Sequence, residues 1–110
     1  MNNKTKFLNY FEKGIKTPKQ LKIGLEHERF LFNGTDNRRI SYEKLKKLFK
    51  NLKKNKWNEI LEKGNIIGLK RGKQQITTEP GLQCELSGEP LETIHQVCSE
   101  SSSYLNEIKE

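Results

Sequence analysis

The chain has 110 residues, of which 21 are Lys or Arg and 14 are Asp or Glu, so its formal net charge is +7. This length suits one small domain, but a hydrophobic fraction of 32% is low for a self-sufficient core. Two cysteines exclude a disulfide framework, and no segment resembles a secretory signal or a membrane span, so we expect a cytoplasmic protein without a membrane partner.

The N-terminal third predicts a short helix and then one long strand. Thr5 can cap a helix that ends near Gly14 and carries apolar residues at helical spacing, namely Phe7, Leu8, Phe11 and Ile15. After a break at Thr17-Pro18, residues 21–32 read as a long strand whose buried face changes near the middle. Residues 33–37 are typical of a turn.

The next segment predicts an amphipathic helix capped by Ser41. Its apolar residues recur at positions i, i+3, i+4 and i+7: Leu45, Leu48, Phe49 and Leu52. The opposite face is rich in lysine, and no aromatic residue is interleaved there to stack on bases. This pattern indicates a solvated outer face over a core stripe, and we expect no nucleic-acid partner.

The rest of the chain predicts short strands and a final helix. The strands fall at residues 57–61, 65–69, 75–79 and 82–86, with a turn at 70–73 and a bend at 80–81. Pro90 suits the first position of the helix, whose predicted core stripe is Ile94, Val97, Cys98, Leu105 and Ile108. Cys84 should also be core. This order predicts an α+β fold with a mainly antiparallel sheet and flanking helices.

Two of these strands each place a pair of oxygen-bearing side chains on one face. Alternate residues of a strand share a face, so Glu26 accompanies Glu28, and Gln83 accompanies Glu85. Glu79 lies an even number of residues before Glu85, but the bend between them leaves open which face of the sheet the Glu79 side chain occupies. Carboxylate oxygens suit Mg²⁺, which can bridge nucleotide phosphates. Spacing alone leaves two interpretations open: a metal–nucleotide site, or the solvated outer face of a sheet.

Four segments, in this order, resemble the N-terminal part of the plant-type and proteobacterial glutamate–cysteine ligases. They are FEKGIK (11–16), IGLEHERFLF (23–32), GNIIGLKRG (64–72) and ITTEPGLQCELSGEPLETIHQVCSE (76–100). The resemblance implies that residues 1–110 are an incomplete N-terminal part of a catalytic domain similar to glutamine synthetase. Leu82 and Cys84 depart from the family pattern, which usually has glycine and an aromatic residue at these positions.

The resemblance also implies an activity and its site residues. The family uses ATP to join the γ-carboxylate of L-glutamate to L-cysteine, the first step of glutathione biosynthesis. Carried over by motif, the Mg²⁺ ligands would be Glu26, Glu28, Glu79 and Glu85, and Gln83 would contact the nucleotide. Since much of the domain would lie outside this chain, we expect the isolated chain to be inactive.

Three matters stay open from the sequence. A second chain that completes the catalytic domain is one expected partner, and the residues leave its existence undecided. A non-catalytic basic binding module is the alternative function from another class. A decayed remnant of the ligase is the third interpretation.

Overall fold

A computed structural model describes residues 2–109 and shows three α-helices beside one five-stranded sheet within that range. Helices α1, α2 and α3 span Asn3–Lys13, Tyr42–Leu52 and Ile94–Lys109. Strands β1 to β5 span Glu26–Arg29, Asn58–Glu62, Asn65–Arg71, Gln74–Glu79 and Gln83–Ser87. Every strand pairing is antiparallel, which confirms the predicted α+β class.

The sheet has the strand order β1-β5-β4-β3-β2. Strands β2 to β5 follow one another as a meander, because each short turn returns the chain beside the strand it has just left. Strand β1 comes first in the chain but lies at the edge, where it pairs with β5. This placement brings the strand that carries Glu26 and Glu28 next to the strand that carries Gln83 and Glu85.

Helices α2 and α3 cover one face of the sheet and form the core with it. The predicted cap is confirmed, since the Ser41 side chain accepts a hydrogen bond from the Lys44 backbone N–H. Three of the four predicted α2 positions are buried, and Leu48 is half-buried. The buried core residues are Leu45, Phe49, Leu52, Trp57, Ile66, Leu69, Ile76, Cys84, Leu86, Val97 and Tyr104.

A β-bulge lets β3 contribute two core residues that strict alternation would place on opposite faces. Ile60 pairs with Gly68, but the next residue of β2 pairs with Ile66, so Ile67 is the extra residue. Ile66 and Leu69 are therefore both buried although they are three positions apart. After the bulge, Gly68 lies opposite Thr77 of β4.

We expect Gly68→Ala to destabilise the chain by about 2 kcal/mol, because an added Cβ overpacks the site. The Cβ would lie 2.8 Å from the backbone oxygen of Ile76, which the sheet hydrogen bonds hold in place. Gly34→Ala is the matched control, since nothing lies within 4 Å of its Cβ position. Urea denaturation of the two variants measures the difference, and equal midpoints would contradict the prediction.

The N-terminal third differs most from the sequence-based expectation. Asn2, not Thr5, caps α1, since its side chain accepts a hydrogen bond from the Thr5 backbone N–H at 2.9 Å. The predicted strand over 21–32 shrinks to β1. On either side of β1, Ile23 and Phe32 form only isolated bridges, to Leu91 and Arg39. The continuous apolar pattern therefore reflects two short separate pairings and not one long strand.

The last helix begins later than Pro90 predicted. Leu91 and Ile23 exchange two backbone hydrogen bonds, which hold the segment around Pro90 extended. The helix begins instead after Thr93, which forms a reciprocal capping box with Gln96. Ile94 and Cys98 are exposed, so their prediction as core is wrong, whereas Cys84 is fully buried as expected. Tyr104 supplies the large buried side chain of α3.

A half-buried ion pair joins α3 to the sheet. Arg71 donates through Nη1 to the Glu107 carboxylate at 3.0 Å and to the Asn55 carbonyl oxygen at 2.9 Å. Its guanidinium carbon lies 4.1 Å from the centre of the Trp57 ring. Trp57 Nε1 donates to the same carboxylate at 2.7 Å. Buried ion pairs persist when hydrogen bonds satisfy both charges, as they do here.

Candidate functional site

The sheet face opposite α2 and α3 carries the predicted site residues, and we call it the open face. Residues paired directly across antiparallel strands share a face. One row of such pairs runs Glu26, Ser87, Gln75, Lys70 and Asn58. The next row runs Glu28, Glu85, Thr77, Gly68 and Ile60. Apart from Gly68, whose backbone is buried, the residues in both rows are exposed or half-buried, so neither helix covers this face.

Two carboxylates meet directly across the strands on the open face. Glu28 of β1 pairs with Glu85 of β5, a position where Cβ atoms are about 5 Å apart. Like charges placed opposite each other destabilise a sheet unless a cation lies between them. Ser87 donates through Oγ to Glu85 Oε1 at 3.2 Å, which orients that carboxylate. Glu26 lies beside Glu28 on the same face, as alternation predicted.

The structure resolves the direction of Glu79, which the sequence left open. Glu79 pairs with Gln83 across the β4–β5 turn, so its side chain shares the open face. The turn comprises residues 80–82 and is closed by a hydrogen bond from the Leu82 N–H to the Glu79 carbonyl oxygen at 2.9 Å. All five predicted site residues therefore lie on one face, over two neighbouring strand pairs.

Gln83 has the environment of a side chain that can accept a ligand. Its Oε1 is buried and has no hydrogen-bond partner within residues 2–109. A Cβ built on Gly81 would lie 3.0 Å from that oxygen and 3.1 Å from Arg39 Nη2, so both groups converge on the turn. The Arg39 guanidinium donates a hydrogen bond to the Gly81 carbonyl oxygen. A positive charge therefore lies beside the unpartnered amide oxygen.

The carboxylates are grouped in pairs and not in a closed cage. Within residues 2–109, no three His, Cys, Asp or Glu side chains converge closely enough to hold a metal ion by themselves. Mg²⁺ at nucleotide sites is typically bound through one or two carboxylates, with phosphate oxygens and water completing its shell. The residues therefore fit a cation that is shared with a phosphate ligand. Their roles as ligands stay predictions.

Sequence reasoning missed Arg39 and Ser87. Ser87 lies two residues after Glu85, so strand alternation already placed its hydroxyl beside that carboxylate. Arg39 lies 42 residues before Gly81 in the chain, and no local pattern connects the two. Only the tertiary pairing of the loop after β1 with the β4–β5 turn brings Arg39 to the site.

A separate histidine lies on the covered face of β1. Arg29 donates through Nε to His27 Nε2 at 2.8 Å, so His27 is neutral, with its proton on Nδ1. His27 Nδ1 lies 3.1 Å from Ser101 Oγ of α3, and this nitrogen donates that hydrogen bond. Desolvation, and secondarily the charge of Arg29, lowers the pKa of His27 below its ordinary value of 6.5.

This lowered pKa predicts a stability loss in mild acid. The unfolded chain binds a proton at His27 more readily than the folded chain does, so the contribution of His27 is complete above about pH 6.5 and is lost as the pH falls below it. We expect the urea midpoint to fall between pH 7.5 and 5.5, and the fall to be smaller in His27→Gln. An identical pH dependence in both proteins would contradict the assignment.

Comparison with protein families identifies one match. A family model described as glutamate-cysteine ligase family 2 (GCS2) matches residues 22–110. No helix within residues 2–109 is long and apolar enough to cross a membrane.

The chain is also similar to curated plant proteins. It is 44% identical over 107 residues to a chloroplastic glutamate–cysteine ligase of Medicago truncatula, covering 96% of this chain and 21% of that protein. It is 43% identical over 107 residues to the chloroplastic glutamate–cysteine ligase B of Oryza sativa subsp. japonica, and the match covers 96% of this chain and 22% of that protein. The chloroplastic glutamate–cysteine ligase of Arabidopsis thaliana is 44% identical to this chain over 101 residues, and the match covers 91% of this chain and 19% of that protein.

Two consequences follow from these similarities. The chain spans about a fifth of the length of the curated relatives it matches. These relatives are named as chloroplastic, which contradicts the expected cytoplasmic location. That expectation was wrong because it rested on the N-terminal composition of a chain that matches only part of each relative.

Proposed function

Since the chain belongs to glutamate–cysteine ligase family 2, we propose that it forms the N-terminal part of a catalytic domain similar to glutamine synthetase. The complete domain ligates the γ-carboxylate of L-glutamate to the amine of L-cysteine at the expense of ATP. This chain contributes the strands that hold Mg²⁺ and the nucleotide phosphates. The remaining part of the domain, on the same or a second chain, contributes the other substrate contacts.

The observation that carries this proposal is the segregation of the sheet faces. Helices α2 and α3 cover the face that bears Ile76, Cys84 and Leu86. The face left uncovered bears Glu26, Glu28, Glu79, Gln83 and Glu85, all exposed or half-buried. A sheet that needed only solubility gains nothing from placing Glu28 directly opposite Glu85. A cation-binding surface accounts for the pairing.

The residues of this chain act by binding and orientation. When bound, Mg²⁺ would offset the negative charge that accumulates between ATP and the carboxylate of glutamate. Glu28 and Glu85 would hold the cation, and Ser87 fixes the orientation of Glu85. The unpartnered oxygen of Gln83 would accept a hydrogen bond from the bound ligand, and Arg39 holds the turn that positions it. This assembly needs no side-chain nucleophile.

A chimeric enzyme tests the proposal. In the chimera, this chain replaces the 107 matching residues of the Medicago truncatula relative. We expect the chimera to form γ-glutamylcysteine only when ATP, Mg²⁺, glutamate and cysteine are all present. We expect the isolated chain to form none. A folded chimera without this activity would contradict the proposed function. Activity of the isolated chain would contradict the proposal that the remaining part of the domain supplies the other substrate contacts.

The basic binding module remains the competing function, and two ion pairs of the lysine-rich segment weigh against it. Lys46 pairs with Glu43 at 2.8 Å, and Lys53 pairs with Glu59 at 3.3 Å, so acidic neighbours partly neutralise the lysine face. Salt-dependent binding of the isolated chain to RNA would favour the module. Absence of both RNA binding and chimera activity would favour the decayed remnant.

A further inference from the structure

Helix α1 carries an apolar stripe that touches none of the core. At 100° per residue, Phe7 and Phe11 fall along one side of the helix, flanked by Leu8 and Tyr10, and Ile15 follows two residues after the helix ends at Lys13. Phe7 is 67% exposed, Phe11 70% and Ile15 76%. None of the described side chains of α1 is buried. An amphipathic helix gains most of its stability by packing its apolar face, so this stripe lacks its counterpart.

A second set of exposed apolar residues flanks strand β1. Leu21 and Ile23 precede the strand, and Phe30 and Phe32 follow it, and all four are exposed. Strand β1 is an edge strand, and no strand within residues 2–109 pairs with its outer side. An open edge bordered by large apolar side chains is a surface that native proteins cover. Of the twelve large hydrophobic residues that are exposed within residues 2–109, nine lie in the segment from Phe7 to Phe32.

Two other occupants explain less of this surface. A second copy docked through α1 would bring together two helices that each carry three lysines, Lys4, Lys6 and Lys13, against one carboxylate, Glu12, so like charges oppose that pairing. A lipid surface could receive the basic amphipathic helix, but lipid offers no backbone groups to pair with the outer edge of β1. A protein partner accounts for both features.

The comparisons indicate which protein that is. The similarity to the Medicago truncatula ligase covers 107 residues of this chain, so it includes most or all of α1, although the family match begins only at residue 22. The matched region is 21% of that relative. Four-fifths of the ligase polypeptide is therefore available to cover a surface that this chain leaves bare.

We propose that the α1 stripe and the outer edge of β1 form the interface with the part of the ligase polypeptide that this chain does not span. The interface rests on the proposed function, because it requires that this chain belong to a larger catalytic domain. The stripe docks by its apolar face, and the polar side of α1, which includes Glu12 and Lys13, stays in solvent. The outer edge of β1 accepts a further strand.

The test compares one substitution pair in two settings. Phe7→Ser with Phe11→Ser should leave the melting temperature of the isolated chain unchanged within about 1 °C, because both side chains are exposed there. In the chimera, the same pair should lower the melting temperature by at least about 5 °C, because the side chains are then buried. Glu12→Ser with Lys13→Ser is the matched control and should be neutral in both settings.

A second measurement applies if the chimera does not fold. The tagged chain is co-expressed with the remaining four-fifths of the Medicago truncatula ligase as a separate chain. The chain should capture it at an equimolar ratio, and the Phe7→Ser and Phe11→Ser pair should reduce the capture at least tenfold. Equal capture by that pair and the control pair, or no capture at all, would overturn the proposal.

Other outcomes identify other occupants and would also overturn the proposal. Concentration-dependent dimerisation of the isolated chain, lost in the Phe7→Ser and Phe11→Ser pair, would assign the surface to a second copy. Sedimentation of the chain with phosphatidylserine vesicles, lost in the same pair, would assign it to lipid. None of these readouts uses catalysis, so a folded but inactive chimera that shows the melting difference would refute the proposed ligase activity and leave the interface standing.

Discussion

Replacing Glu85 by Gln in the chimera should lower the rate of γ-glutamylcysteine formation at least about 100-fold, because in the proposed site this carboxylate holds the Mg²⁺ ion. Glu85 lies between Glu28 on one side and Thr77 on the other, at the middle of the open face. Gln preserves the volume of the side chain and can still accept the hydrogen bond from Ser87. The loss should therefore appear in turnover and in the Mg²⁺ concentration required, and not in folding.

Three comparisons make this result specific to the proposed site. Glu28→Gln should cause a loss of similar size, because it removes the other half of the same cross-strand pair. Glu62→Gln should leave the rate within about twofold, because this exposed residue lies at the end of β2, the strand farthest from β1. Melting temperatures of all three variants should be no lower than that of the unsubstituted chimera. A loss of less than about threefold in Glu85→Gln would remove this carboxylate from the site.

The directions of the open-face side chains could be predicted where they depend only on local geometry. Strand alternation alone places Glu26 with Glu28 and Gln83 with Glu85. The direction of Glu79 depends in addition on the length and closure of the β4–β5 turn. The position of Arg39 depends on a contact across 42 positions, which no local window of sequence contains.

Two errors in the fold have one physical source, which is tertiary contact overriding a local pattern. Residues 21–32 are apolar enough for a long strand, but the bridges at Ile23 and Phe32 draw the two ends to different partners. Pro90 suits a helix start, but the Leu91 pairing keeps its segment extended. In α3 the predicted stripe included Cys98, which is exposed, and omitted Tyr104, which is buried seven residues after Val97 on the same helix face.

The family resemblance and the backbone conformation both indicate that position 82 favours glycine. The resemblance marked Leu82 as a departure from the glycine usual at this position. In the structure Leu82 has a φ angle of 64°, in the left-handed region that favours glycine. A non-glycine residue there costs about 1 kcal/mol, and Leu82 offsets part of this by packing against the core. The turn therefore keeps its shape with an unfavourable residue.

The second large effect should come from Arg71→Ala, which we expect to destabilise the isolated chain by about 3 kcal/mol. The substitution leaves Glu107, whose side chain is only 18% exposed, with the hydrogen bond from Trp57 Nε1 but without its cation. It also removes the guanidinium from the Trp57 ring and leaves the Asn55 carbonyl without this donor. Urea denaturation measures the loss.

The control for this prediction lies one residue away. Lys70 is exposed on the open face, so Lys70→Ala should change the free energy of unfolding by less than about 0.5 kcal/mol. Combining Arg71→Ala with Glu107→Gln should cost less than the sum of the two single substitutions, because the double variant no longer leaves a half-buried charge unpaired. Strict additivity would show that Arg71 and Glu107 act independently, and would contradict the prediction.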